Sequence, residues 1–596
     1  MLAGGSAMGA LLTPAPWRLI KDASLLSETW PGVPRPKTGT VATRFTNCSL
    51  CTAGCAVRAR CIGKQPVQLA GVAGHPLSHG ALCAYGIAGH HLPYHPDRLK
   101  SGAAEEAMAA VSGTIAKCVA GERVAVLDLR PGRTHSWTYR RAMNAVRNGL
   151  YLTPERQWRS DSAVDLGAAK VVLSFGTPLL DSWGTPGNVI AARENFRLIQ
   201  AEAVESRTAS MADLWLPVRP GSENALALRI ANRLLDSGAN SKDLPAGFRE
   251  RVQMAESVDT GIADEQIRAV AGHLSSGGPA LVLAASGSPD ILALNLLIGA
   301  KGRTIVGRRE TPVPEQWKNA APETELSTVP DGSLRVLLID ESAPGEYVPW
   351  SSIERKLAPA AVVVAFAWSR DGYGRHASCV LPTAVYPESL DDVPAAVDSV
   401  TAAFRLSTPL MEARAGVVNP AEFVGKLGGV DAAGALRERA DAIAKSGRGS
   451  VFTYADGKSA PVKQMKSDDF WKALNEGACW MDDRDAKAPL PALHFRERAA
   501  SPVAIAEERG AAALVSPLMS KVYEESRLRL GKRGVALHPS SGLADGARAM
   551  LETDCGRMEV NVTLDSSVPP NVVQAAAGSE LSDLCGPSAW AKVVRI

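Results

Sequence analysis

Thr46-Asn47-Cys48-Ser49-Leu50-Cys51-Thr52-Ala53-Gly54-Cys55 decides how this chain is read, because its three cysteines have the spacing C-x2-C-x3-C. A fourth, Cys83, follows after 27 residues within Gly80-Ala81-Leu82-Cys83-Ala84-Tyr85-Gly86. Three thiolates on one short loop surround a single metal group only if the backbone curls, and Ala53 and Gly54 are small enough to allow it. Their amide N–H groups can also reach cluster sulfurs and tune a reduction potential. Four thiolates suit tetrahedral zinc as well. Zinc sites commonly come as two C-x2-C knuckles, however, whereas here the fourth cysteine stands alone. The spacing therefore predicts a [4Fe–4S] cluster on Cys48, Cys51, Cys55 and Cys83, with zinc and an empty, degenerate site as the alternatives. Cys61 reads as a small buried structural thiol.

Working outward, Cys118, Cys379, Cys479, Cys555 and Cys585 are scattered singly. A disulfide framework belongs to short secreted domains without a core, which a 596-residue chain is not. That length predicts several domains, on the order of three to five. The formal charge of +3, from 65 basic and 62 acidic side chains without long runs of one sign, excludes an electrostatic case for nucleic acid. No run of 18 or more apolar residues predicts a membrane span. Met1 to Leu12 is small and apolar, the length of a signal-peptide core, and Thr13-Pro14-Ala15-Pro16-Trp17 breaks it. The basic or twin-arginine head of such a signal is missing, so this reads as the tail of an export signal. A small-residue helix docked on the chain's own surface is the alternative.

Beyond residue 102, helical stretches alternate with Val124-Ala125-Val126-Leu127, Val171-Val172-Leu173-Ser174-Phe175, Ala280-Leu281-Val282-Leu283, Val336-Leu337-Leu338-Ile339 and Val362-Val363-Val364-Ala365. Apolar runs buried on both faces and separated by helices predict parallel α/β sheets. Such sheets bind ligands at the carboxyl ends of their strands, here at Phe175-Gly176-Thr177 and Asp340-Glu341.

The segment from Cys48 to Lys100, with Gly74-His75-Pro76 and Tyr94-His95-Pro96-Asp97-Arg98-Leu99-Lys100, resembles the iron–sulfur domain of the molybdopterin-oxidoreductase large subunits. The resemblance continues through Ala209-Ser210-Met211-Ala212-Asp213-Leu214-Trp215-Leu216-Pro217 with Pro220-Gly221, and through His376-Ala377-Ser378-Cys379-Val380-Leu381-Pro382-Thr383 with Glu388. Near the C-terminus, Ala549-Met550-Leu551-Glu552 and Met558-Glu559-Val560-Asn561-Val562 read as a hairpin of the family's terminal barrel, turning at Gly556. The resemblance implies an α/β, multi-domain fold. An arm with a signal-like segment spans 1–40 and an iron–sulfur domain 41–101. One α/β domain covers 102–150 and 270–430, with a second inserted at 151–269. A linker over 431–500 leads to a C-terminal β-barrel at 501–596.

Departures from the family pattern cluster at its cofactor contacts. Tyr85 stands where members carry Lys or Arg between cluster and pterin. Glu202-Ala203-Val204-Glu205-Ser206-Arg207-Thr208-Ala209 stands where an Asp and an Arg hold the pterin nucleotide, and Val204 replaces that Arg. Gly132 to Asp165 offers no cysteine as metal ligand, and Ser136 and Ser162 match no ligand motif. Ser389-Leu390-Asp391-Asp392-Val393-Pro394 replaces a further signature. Packing motifs survive while cofactor contacts are lost, which predicts a chain without molybdopterin and without catalytic residues.

Pro14-Ala15-Pro16-Trp17 and Thr29-Trp30-Pro31-Gly32-Val33-Pro34-Arg35-Pro36 resemble the N-terminal arm of molybdopterin-binding-like subunits in periplasmic menaquinone reductase (Qrc) and alternative complex III-type assemblies. That resemblance implies three partners: a ferredoxin-like iron–sulfur subunit, a multihaem cytochrome c and an integral membrane quinone-site subunit. It implies a peripheral place on the periplasmic face of the cytoplasmic membrane. A Pro-rich extended arm with Trp anchors suits draping over a partner, although it could equally pack on its own chain. The expected role is electron transfer and scaffolding. A catalytic molybdenum-bis-pterin oxidoreductase and an interaction module without cofactor are the other readings.

Overall fold

A computed structural model describes residues 39–154, 161–180, 183–284, 288–343, 345, 348–485, 503–506, 533–553, 556–576, 581, 584 and 591–595. Residues 1–38 of the expected arm over 1–40, with Trp17 and Trp30, lie outside the described residues, as do Cys555 and Cys585.

The chain opens with a three-stranded antiparallel sheet, Val41–Asn47, Ala56–Ile62 and Gln65–Gly71. The cysteine loop connects the first two of these strands. A six-stranded sheet follows in the order Glu323–Glu325, Gly149–Thr153, Arg123–Asp128, Leu334–Asp340, Leu357–Ala367, Cys379–Pro382, every neighbouring pair parallel. Helices Thr134–Ala145 and Pro420–Leu427 cover one face through Tyr139, Met143 and Phe423, and Trp350 and Ile353 cover the other. A second parallel sheet has the order Ala280–Ala284, Val171–Phe175, Arg197–Ala201, Leu214–Leu216. Its central strand Val171–Phe175 is buried at every position, which is why it reads as an uninterrupted apolar run. All five apolar runs picked out in the sequence lie in these parallel strands.

Two expected boundaries need correction. Ala280–Ala284 hydrogen-bonds to Val171–Phe175, and Ile305–Gly307 pairs with Ser162–Val164. The inserted unit therefore runs well past 269, because a strand cannot be divided from the ladder that satisfies its amides. The linker expected over 431–500 is, over 435–481, a packed unit. Helices Ala435–Ser446 and Ser467–Gly477 lie on a five-stranded antiparallel sheet ordered Asp391–Val393, Ala403–Ser407, Ala478–Met481, Ser450–Thr453, Ser459–Pro461. Phe404, Leu406, Ile443, Phe470 and Trp480 form its core. Residues 486–500 lie outside the described residues.

The C-terminal sheet is ordered Val503–Ala506, Val573–Ala576, Gly534–Leu537, Gly556–Leu564, Arg548–Thr553, Ala591–Arg595, a half-barrel. The expected hairpin is there, with Thr553 opposite Gly556. Gly556 takes φ +141, a conformation costly for any residue with a Cβ.

Candidate iron–sulfur site and the strand-end crevices

The cysteine loop is closed by its own backbone, Cys48 N–H donating to Cys55 O at 2.9 Å, and Gly54 turns it at φ +57. Cys83 arrives from a separate turn and precedes the short helix Ala84–Ala88. Gly71 and Gly80 permit that approach, since a Cβ on Gly71 would lie 2.1 Å from Gly80 O. Burial pushes the Cys48 thiol up, and Cys51, Cys55 and Cys83 add to the push. Burial likewise raises Cys51 and Cys55, with Cys83 acting on both. Yet among the described residues no three His, Cys, Asp or Glu side chains lie close enough to hold a single metal ion. Cys61 is apart, buried on the apolar side with Val57, Leu69 and Leu410.

The surroundings of the loop are polar in a specific way. Tyr386, buried and electrostatically coupled to Cys48, Cys55 and Cys83, has a hydroxyl without a hydrogen-bond partner. Arg405, fully buried, packs on Gly54 and leaves Nε and Nη1 without partners. Arg130 reaches the loop from the first parallel sheet, donating to Ser49 O at 2.7 Å. Unpartnered donors around four convergent thiols fit an anionic, sulfur-rich group, because a buried donor left unmade is costly. The sequence alone does not mark Arg130, Tyr386 or Arg405. The available signal was an arginine inside the strand-like Ala403-Phe404-Arg405-Leu406-Ser407.

Tyr85, at the position where a cation was expected in the family, packs instead against Ala88, Leu92 and Val385 beside Leu50 and Trp368. Arg98 and Glu388, both in family-like segments, form a buried two-pronged ion pair at 2.7 and 2.8 Å that ties this unit to the strand Cys379–Pro382 region.

The two strand-end crevices differ. On the first sheet, Asp128 and Asp340 are register partners at the ends of adjacent strands. Arg133 fills the space between them, donating to Asp340 at 2.6 Å and to Asp391 at 2.7 Å, with Asp128 at 3.5 Å. Burial opposes the Asp340 charge, but Arg133 holds that carboxyl down at about 2. Asp392 accepts from Thr134 N–H at 2.7 Å, at a helix N-terminus, and from Arg439 at 2.9 Å. Ser136 donates to Asp128 at 2.6 Å and so is structural. On the second sheet, Thr177 Oγ1, Gln200 Oε1 and Thr208 Oγ1 are buried without partners. There Glu202 accepts from Gln200 and from Ser206 N–H, each at 3.0 Å.

Comparison with known proteins agrees with this architecture. No protein-family model matches the chain. The solved structure of acetylene hydratase from Pelobacter acetylenicus superimposes with a TM-score of 0.61 over 91% of this chain and 95% of that one, at 15% identity. One subunit of the sulfite dehydrogenase from Allochromatium vinosum is 27% identical over 36% of this chain and 26% of its own length. In fold and in sequence the chain is similar to molybdopterin-oxidoreductase large subunits. In particular it is similar to the menaquinone reductase, molybdopterin-binding-like subunit of Nitratidesulfovibrio vulgaris, at 26% identity over 68% of each chain.

Proposed function

We propose that this chain is a non-catalytic electron-transfer and scaffold subunit of a membrane-associated respiratory quinone oxidoreductase complex, carrying one [4Fe–4S] cluster and no molybdenum. The observation that carries the reading is the crest of the first sheet. There Arg133, Asp340 and Asp391 satisfy one another where a ligand of the fold would bind. Asp391 and Asp392 belong to the segment that replaced a cofactor signature, and both are buried in internal ion pairs.

Cys48, Cys51, Cys55 and Cys83 would hold the cluster, which supplies one-electron transfer when bound. The chain's own residues do the rest. The Gly54 turn lets the loop curl, Leu50, Leu82 and Tyr386 exclude water, and Arg130 and Arg405 supply positive charge. Three cysteines on one loop with the fourth on a separate turn, rather than two C-x2-C knuckles, favour a polynuclear group over zinc. Partnership rests on the relative named as a menaquinone reductase subunit. Among the described residues no helix is long and apolar enough to cross a membrane, which suits a peripheral subunit beside a quinone-site partner. The periplasmic side and the multihaem and ferredoxin-like partners rest on the likeness of the arm.

One observation favours the catalytic alternative. The buried oxygens Thr177 Oγ1, Gln200 Oε1 and Thr208 Oγ1, without hydrogen-bond partners, line the rim of the second sheet, where a pterin nucleotide would lie. Against it, Val204 stands where the resemblance puts an Arg that would clamp phosphate.

Cys51→Ser and Cys61→Ser test the site. Iron per chain should fall sharply in the first and stay at the wild-type level in the second. Equal iron in the two variants would remove the ligand assignment.

A further inference from the structure

Arg405 stands out in the electrostatics of this protein because it is a wholly buried cation without a carboxylate partner among the described residues. It lies on the strand Ala403–Ser407, every residue of which is buried. Residues 403, 405 and 407 share one face of that strand, and Ala403 on that face packs with Ala56 and Val72 of the iron–sulfur unit. The strand is fixed there by backbone recognition. Asn47 Nδ2 donates to Leu406 O at 2.8 Å, and Thr46 Oγ1 donates to Thr408 O at 2.9 Å and accepts from Thr408 N–H at 2.8 Å. Arg405 is thereby delivered onto the last turn of the cysteine loop. A Cβ on Gly54 would stand 2.7 Å from its guanidinium carbon and 2.8 Å from Nη2.

Within the protein, the guanidinium is nearly unanswered. Nη2 donates to Pro394 O at 3.1 Å, Nε and Nη1 have no partner, and no carboxylate forms an ion pair with it among the described residues. A buried cation without a counter-ion is strongly disfavoured, so a fold that keeps one normally holds an anion against it. The adjoining group with that character is the sulfur cage. A four-iron cluster with four thiolate ligands is a net anion, and its negative charge grows on reduction.

We infer that Arg405, delivered by a strand some 350 residues downstream of the cysteine loop, supplies the cation that the segment after Cys83 no longer carries. In this account Arg405 is a positioning and charge-compensating residue that raises the cluster's reduction potential. Arg130, donating to Ser49 O at 2.7 Å, assists it. The position of Tyr85 is free to be neutral and apolar because the charge enters from another element. This inference rests on the proposed cluster at Cys48, Cys51, Cys55 and Cys83.

The test is a redox titration followed by electron paramagnetic resonance, with iron counted per chain, on full-length wild type, Arg405→Met and Arg405→Lys. Arg405→Met should keep its iron while the equilibrium constant for one-electron reduction falls about tenfold or more, a shift of about 59 mV to lower potential. Arg405→Lys, which keeps the charge but loses the fork, should lie between. Loss of iron in Arg405→Met with retention in Arg405→Lys also supports the inference, since charge is then what the cluster needs. A potential unchanged in Arg405→Met, or iron lost equally from both variants, overturns it while leaving the cluster assignment intact. Absence of iron from the wild type would instead overturn the cluster reading itself.

Discussion

Arg133 donates to Asp391 across 2.7 Å, joining residues 258 apart in the chain and closing the crest of the first parallel sheet. The same guanidinium serves Asp340 at 2.6 Å and lies 3.5 Å from Asp128, all of it out of contact with water. Breaking a buried ion pair on one side leaves uncompensated charge and costs about 3–5 kcal/mol.

Arg133→Met is therefore expected to lower the urea midpoint of the full chain markedly at pH 7. The pH dependence follows from Asp340, which burial pushes up but Arg133 holds down at about 2. A depressed carboxyl stabilises fully above its ordinary value of about 4 and loses that contribution as pH falls toward 2. The gap between wild type and variant should be widest at neutral pH and narrow below pH 4. A gap constant from pH 7 to 3 would show that Arg133 acts by packing alone.

Glu341 behaves in the opposite sense. Burial lifts its carboxyl to about 8, with Asp371 and Asp340 adding and the Tyr373 amide and Arg375 opposing. It is pressed against Gly372, whose Cβ would lie 1.9 Å from Oε1, and Oε2 has no partner. A carboxyl raised in the folded state stabilises at low pH and loses that contribution as pH climbs through about 8. Glu341→Gln should melt at a higher temperature than wild type at pH 8.5 and at nearly the same temperature at pH 5. An equal offset at both values would contradict the account.

The N-terminal arm carries Trp17 and Trp30 among Pro14, Pro16, Pro31, Pro34 and Pro36. A segment of that composition gains order by docking, and Trp side chains are the usual anchors of an interface. Deleting residues 1–40 should leave iron per chain unchanged and move the protein from the membrane fraction to the soluble one. Co-purification of the truncated chain with its partners at the wild-type yield would assign the arm to local packing.

Much of the fold is legible because burial writes itself into composition. Val171–Phe175 and Leu334–Asp340 are apolar along most of their length because helices cover both faces of their sheets. The five-stranded sheet was illegible for the converse reason. Its edge strand Ser459–Pro461 is exposed, and Asp391–Val393 begins with two acids that read as a loop. Arg133, Arg439 and the Thr134 N–H, from distant elements, make that acidic strand fit for burial. The candidate site divides the same way. Its four cysteines announce themselves by spacing, whereas Arg405 and Tyr386 matter through contacts more than 300 residues from the loop they face. No local pattern carries such a relation.

The central claim, one cluster and no molybdenum, meets its most direct test in elemental analysis of the wild-type chain purified anaerobically with its complex partners removed. The account predicts about four iron atoms per chain, as a single four-iron cluster requires, and neither molybdenum nor tungsten above trace. About one atom of molybdenum or tungsten per chain would contradict it and favour the catalytic molybdenum reading.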